Sequence, residues 1–373
     1  MHRTRNACLL LATLTAACLS AAKPANAGAY DFSIINVAGA TNTVPRSINA
    51  SGQIAGYYDD ATGTHGFLDT NGTITTITVP GAIDTQAKSI NTSGQVAGIY
   101  ADATGTHGFV DTNGAFTTLS APGATYTEAK SINDAGQIAG YYADPTGNHG
   151  FAYTNGTFTT ITAPAASTST IALSINASGQ IAGYYQSGST GTHGFLATNG
   201  VFTTITGPGA VYTYAESVND AGQVAGYYQC ATGTCGFLDT NGSFSTLTAP
   251  GATATQALSI NASGQVAGLY QDAIGTHGFL ETNGTYTTFS APGSTFTYAN
   301  SVNDAGQVAG LYQDATGYHG FIASPTGAAA PEPSQAAALG FTVLGLAGLI
   351  LRAVTRKRRG AQCREQSPLK SAA

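Results

Sequence analysis

Short runs in which apolar residues alternate with small or polar ones recur along this chain, each run closed by a turn-forming pair. Residues 86–91 (QAKSIN) predict a short strand, and Asn91-Thr92-Ser93-Gly94 predicts a turn with Gly where φ is positive. Residues 95–100 (QVAGIY) predict a second strand, followed by a loop over 101–106, and His107 to Thr112 predicts a third. Asn113-Gly114 suits the two-residue turn of an antiparallel hairpin. Residues 115–120 (AFTTLS), rich in β-formers, predict a fourth strand, which Pro122-Gly123 ends.

This pattern is one copy of a repeat. Seven copies register on a Ser-Ile/Val-Asn at Ser47, Ser89, Ser131, Ser174, Ser217, Ser259 and Ser301, spaced 42 or 43 residues apart. Four antiparallel strands per repeat of that length is the plan of a propeller blade. The seventh copy stops after its third strand, His319-Gly320-Phe321-Ile322, where Ser324 to Gly327 replaces the Asn-Gly hairpin. Residues 32–40 match the missing fourth strand and its exit loop. The expectation is an all-β, seven-bladed β-propeller over residues 28–325, closed by an N-terminal outer strand that leaves no long open edge.

The flanks point to export. Residues 1–27 carry Arg3 and Arg5, an apolar run from Ala7 to Ala22 and the small-residue site Ala25-Asn26-Ala27, the layout of a secretory signal peptide. At the other end residues 326–333 form a linker ending in Pro331-Glu332-Pro333. An apolar stretch from Ala336 to Leu351 follows, long enough for a transmembrane helix when extended to Val354, and then Arg352, Arg356, Lys357, Arg358 and Arg359. That basic cluster predicts a cytoplasmic C-terminal tail over residues 360–373.

The order Pro-Glu-Pro, apolar helix, Arg cluster over residues 334–359 and the motif before it resembles the PEP-CTERM sorting signal of exopolysaccharide-producing Gram-negative bacteria. The resemblance implies cleavage near Pro331, Glu332 and Pro333 by an exosortase, transient anchoring in the inner membrane by residues 336–354, and a final place at the cell surface or in the extracellular matrix. The repeats resemble the bacterial extracellular HAF-repeat family, here with His-Gly-Phe at His65, His107 and their equivalents. That resemblance covers nearly all of the chain left after export and implies a repeat protein without implying an activity.

Between residues 28 and 330 the only cationic side chains are Arg46, Lys88 and Lys130, whereas all acidic residues except Glu332 and Glu365 lie there. An acidic body of this kind argues against nucleic acid as a partner.

The copies can be compared with one another. Six carry His at the His-Gly-Phe position, and five of these follow an Asp by five residues: Asp60 and His65, Asp102 and His107, Asp144 and His149, Asp272 and His277, Asp314 and His319. In the fifth copy the pair becomes Cys230 and Cys235. The fourth, with His193 and Ser187, has neither pair. A paired exchange predicts one structural clasp built ionically in five copies and as a disulfide in one, facing across the hairpin. The histidines sit on separate blades and predict no metal centre, and no motif calls for a cofactor.

The loop entering each first strand varies more. Tyr126, Tyr212, Tyr214, Phe296 and Tyr298 stand there as stacking platforms for sugar rings or as packing against the neighbouring loop. One position of this frame holds Arg46, Lys88 and Lys130 in consecutive copies, an arc suited to a carboxylated or phosphorylated glycan or to local pairing with Asp84 or Glu128. These features predict an exported binding or structural propeller in the exopolysaccharide layer, with acidic or neutral polysaccharide as partner, and not an enzyme. The alternative is a polysaccharide hydrolase or lyase working at the channel mouth with Glu128 and Glu216 as acid and base. A buried, shifted carboxylate that one copy has and its siblings lack would favour it.

Overall fold

The computed structural model describes residues 30–164, 167–188, 190–291 and 293–326. The chain is all-β and propeller-like there, with 28 strands hydrogen-bonded into one sheet. In the second repeat the strands Asp84–Ile90, Val96–Asp102, Gly105–Thr112 and Ala115–Leu119 pair antiparallel in chain order. The first of them also touches the third strand of the preceding repeat through a parallel pair, Thr64 with Asp84.

The Asn-Gly turns have the backbone the sequence requires: Asn113 and Gly114 take φ of 53° and 85°. The loop expected over 101–106 is shorter than its sequence suggests. Asp102 pairs with Gly105, so Ala103 and Thr104 make the turn. The Asp102 carboxylate accepts the Thr104 N–H at 2.7 Å, and Gly105 supplies a φ of 150°. That side-chain cap turns a polar, loop-like stretch into the tip of a hairpin.

The last strand, Gly317–Pro325, is joined not by a following strand but by the N-terminal strand Tyr30–Ile35, antiparallel from Tyr30 opposite Pro325 to Ile35 opposite Gly320. Two hydrogen-bond circuits run across the repeats. Each Ser of the Ser-Ile/Val-Asn motif accepts the main-chain N–H of the Ile or Val in the next repeat, from Ser47 to Ile90 through to Ser301 and Ile48. Each Asn donates its side-chain amide to the main-chain carbonyl of the next Asn, and Asn303 returns to Asn49. Both circuits close.

The core explains why closure matters. The Phe of each His-Gly-Phe is fully buried, Phe67, Phe109 and Phe151 at 0 % exposure. The apolar clusters combine neighbours: Ala97 and Leu119 of one repeat pack with Ala129, Ile138 and Phe151 of the next. A single repeat therefore buries its apolar face only against another.

The signal peptide, the linker with Pro331, Glu332 and Pro333, the apolar segment 336–354 and the basic tail lie outside the described residues. Among the described residues no helix is long and apolar enough to cross a membrane.

Candidate functional site

The first strand of every repeat carries a β-bulge at the same place. Pro45 pairs with Gly56 and Ser47 with Ala55, which leaves Arg46 between them without a partner in the ladder. The same irregularity falls on Lys88, Lys130, Leu173, Glu216, Leu258 and Asn300. A bulge bends its strand and re-aims the extra side chain. All seven of these side chains line one central cavity of about 280 Å³.

The glycine opposite each bulge makes this possible. A Cβ at Gly140 would lie 2.0 Å from the Glu128 carbonyl oxygen and 3.0 Å from the Phe151 ring; at Gly56 it would lie 2.2 Å from the Val44 carbonyl oxygen. The backbone approaches too closely there for any side chain.

Arg46, Lys88 and Lys130 are thus brought together, but not equally free. Lys130 Nζ lies 2.8 Å from Glu128 Oε1, and Lys88 Nζ lies 3.7 Å from the same oxygen while donating to Gln86 Oε1 at 2.7 Å. Tyr126 Oη donates to Glu128 Oε2 at 2.6 Å, and Tyr141 Oη donates to Tyr126 Oη at 3.2 Å. Burial opposes ionisation of Glu128, yet the Lys130 and Lys88 ammoniums hold its carboxyl below its ordinary range. Burial, with the Arg46 charge adding to it, pushes the Lys88 ammonium down to about 8. Arg46 is exposed and makes no hydrogen bond or ion pair among the described residues.

Glu216 differs from its six equivalents and from Glu128. It forms no hydrogen bond or ion pair among the described residues. Burial within the ring pushes its carboxyl up to about 7 against the opposing pull of Lys130 and Arg46.

The aromatic residues divide among different surroundings. Phe296 and Tyr298, with ring centroids 3.9 Å apart, line a second cavity of about 350 Å³ together with Arg46, Asn300, Tyr57 and Tyr318. Tyr126 lines a third, of about 390 Å³, with Lys88, Glu128 and Lys130. Tyr214 instead packs against Tyr227 and Tyr184 at centroid distances of 5.0 and 4.7 Å, and Tyr212 Oη bonds Thr234 Oγ1 at 2.8 Å. Tyr57, Tyr141 and Tyr318 were not singled out from the sequence. A signal for Tyr318 existed, since the residue before His in the other His-bearing repeats is Thr or Asn.

Asp and His of the clasps lie 3.4 Å apart in Asp60–His65 and Asp102–His107, 3.1 Å in Asp144–His149 and Asp314–His319, and 3.2 Å in Asp272–His277. They are diagonal neighbours and not directly opposed: Asp60 pairs with Gly63, and His65 with Tyr58. A threonine joins most of them, Thr62 Oγ1 lying 2.6 Å from Asp60 and 2.8 Å from His65. The far ring nitrogen reaches the end of the fourth strand, as His107 Nδ1 does to Ser120 at 2.9 Å. Cys230 and Cys235 are joined in a disulfide with Cα atoms 5.8 Å apart. Among the described residues no three His, Cys, Asp or Glu side chains converge as metal ligands.

No protein-family model matches this chain, and no curated protein matches it. Solved structures do. A streptogramin B lyase aligns over 79% of this chain and 97% of its own with a TM-score of 0.53 and 13% identity. YCF48 bound to a D1 peptide aligns over 83% and 100%, with a TM-score of 0.51 and 12% identity. A prolyl endopeptidase reaches a TM-score of 0.55 at 13% identity over 74% of this chain, which spans about half of that enzyme's length, 47%. At such identities the likeness concerns the fold, and the fold is propeller-like.

Proposed function

We propose that this chain is an exported seven-bladed β-propeller that binds acidic polysaccharide at the mouth of its central cavity and acts in the exopolysaccharide layer. The blade count rests on seven sequence repeats and on two hydrogen-bond circuits with seven members each. The observation that carries the binding reading is Arg46. Its unpaired guanidinium borders both the central cavity and the aromatic pocket of Tyr57, Phe296, Tyr298 and Tyr318. A planar cation lining the same pocket as aromatic rings suits a sugar carboxylate or phosphate whose ring stacks on the aromatics. Lys88 and Lys130, although they share Glu128, extend the positive arc. Export by the signal peptide and processing by an exosortase at Pro331, Glu332 and Pro333 would deliver the ring to that layer.

The test is retention of the purified protein on immobilised acidic and neutral polysaccharides at low and moderate salt. Salt-sensitive retention on the acidic polymers, lost in the R46Q/K88Q/K130Q variant, is the expected result. Unchanged retention in that variant would overturn the reading.

A second reading, a polysaccharide hydrolase or lyase, is favoured by Glu216, a carboxyl pushed up to about 7 that no other repeat carries at this position. Release of new reducing ends from the retained polymer, abolished in E216Q, would replace binding with catalysis as the function.

A further inference from the structure

The arrangement of the seven bulge residues goes further than a positive arc. In ring order they read Arg46, Lys88, Lys130, Leu173, Glu216, Leu258 and Asn300. Glu216 is three places from Lys88 in one direction and three from Arg46 in the other. It therefore faces the gap between those two cations across the cavity. Leu173 and Leu258 flank it, and among the described residues no group forms a hydrogen bond or ion pair with it. A carboxylate held between apolar neighbours is costly to leave ionised without a partner. A cation arriving with a ligand would supply that partner.

The cavity is also small. Two residues beyond each bulge stands an Ile or Val, from Ile48 and Ile90 to Val302, exposed by only 5–7 %. Five of them, Ile48, Ile175, Val218, Ile260 and Val302, border a separate cavity of about 220 Å³ together with Asn133, Asp134, Asp220 and Asp304. The two cavities share no lining residue. A terminal or pendant group can enter the cavity from the Arg46 side without passing through the ring. At about 280 Å³ the upper cavity is at the small end of ligand pockets, which run to roughly 1,000 Å³. One sugar residue is the fitting size.

We propose that the central cavity receives a single zwitterionic residue, an amino-bearing sugar acid at a chain end or branch, with its anion toward Arg46 and Lys88 and its ammonium toward Glu216. This rests on the reading that the cavity mouth is the ligand site. It adds the chemistry of the unit recognised and the way it enters.

The experiment is calorimetric titration of the full-length protein in detergent with muramic acid, which carries an amine and a carboxylate, and with galacturonic acid, which carries the carboxylate only. The wild type is expected to bind muramic acid on the order of tenfold more tightly, the worth of one charge-assisted contact. The E216Q variant should weaken muramic acid and strengthen galacturonic acid, because removing a negative charge acts oppositely on the two ligands. A merely structural loss would weaken both. Equal binding of the two acids by the wild type, or an E216Q variant that keeps the margin, overturns the proposal. If acidic polysaccharide is still retained in either case, only the zwitterion inference falls. If neither sugar acid nor polysaccharide binds, the reading of the cavity mouth as ligand site falls with it.

Discussion

The side-chain amide of Asn303 donates to the main-chain carbonyl of Asn49 at 3.0 Å across 254 residues of chain. The same Asn303 holds its own turn, accepting the Gln307 N–H at 3.0 Å and donating to Gln307 Oε1 at 2.8 Å. One side chain thus shapes a local turn and joins the last repeat to the first.

Replacing Asn303 with Ala takes the acceptor from the turn N–H groups of Ala305 and Gln307, and it leaves the Asn49 carbonyl with the Gly52 N–H as its remaining partner. The expected cost is about 2 kcal/mol or more, from roughly 1–3 kcal/mol for each unsatisfied buried group. Urea unfolding checks it. The equivalent change at an interior repeat, Asn133→Ala, should cost a similar amount, since both sites make the same contacts. A much smaller loss at Asn303 would mean that the ring is not held closed there.

Gly140→Ala is expected to be far worse than a surface change. Its Cβ would meet the Glu128 carbonyl, a backbone atom that cannot swing aside. A loss of about 3 kcal/mol or more follows from overpacking of this kind, readable as a lowered unfolding midpoint. The variant should also disturb Glu128 and Lys130 on the opposing strand and, through Glu128, Lys88 of the preceding repeat.

Cys230 and Cys235 should resist thiol alkylation until a reductant is added, as mass spectrometry of the intact protein will show. Their sequence separation is only 5, so the closed loop is short and the C230S/C235S variant should lose about 2 kcal/mol. Five other repeats hold the same hairpin with Asp and His, and the fourth forms it with neither pair, so the variant should remain folded.

Retention of acidic polysaccharide should fall as pH rises from about 6 to about 9. Glu216, whose carboxyl is held up near 7, gains a negative charge in the cavity as pH passes that value. Lys88, whose ammonium is held down near 8, then loses its positive charge. Both changes disfavour an anion. In E216Q the lower step should vanish and the upper one remain, a separation that column retention against pH will resolve.

Much of the fold was legible before any coordinates. The repeat, the Asn-Gly turns and the N-terminal strand that completes the last repeat follow from residue types within a few positions of one another, where backbone preferences act. The pairing of Cys230 with Cys235 was legible for the same reason, as five residues spanning one hairpin. The hairpin loops were expected too long because Asp102 and its equivalents looked like loop residues, whereas they cap a tight turn.

The site was legible in its members more than in its construction. Alignment of the repeats placed Arg46, Lys88 and Lys130 at one position, and it named Glu216 among their equivalents. Periodicity does not show that this position is bulged, because a bulge depends on what the opposite strand permits, here a glycine that lets a carbonyl approach. Nor does it show that Glu128 draws two lysines while Arg46 stays free, or that Tyr57 and Tyr318 complete the pocket of Phe296 and Tyr298. The lysine contacts join one strand or neighbouring repeats, whereas the aromatic pocket joins the first repeat to the last, a distance that only ring closure makes short. Sequence by itself determined the repeating strand and turn, which are local energetics. Tertiary structure decided which seven side chains meet at the centre, because that depends on closing the ring.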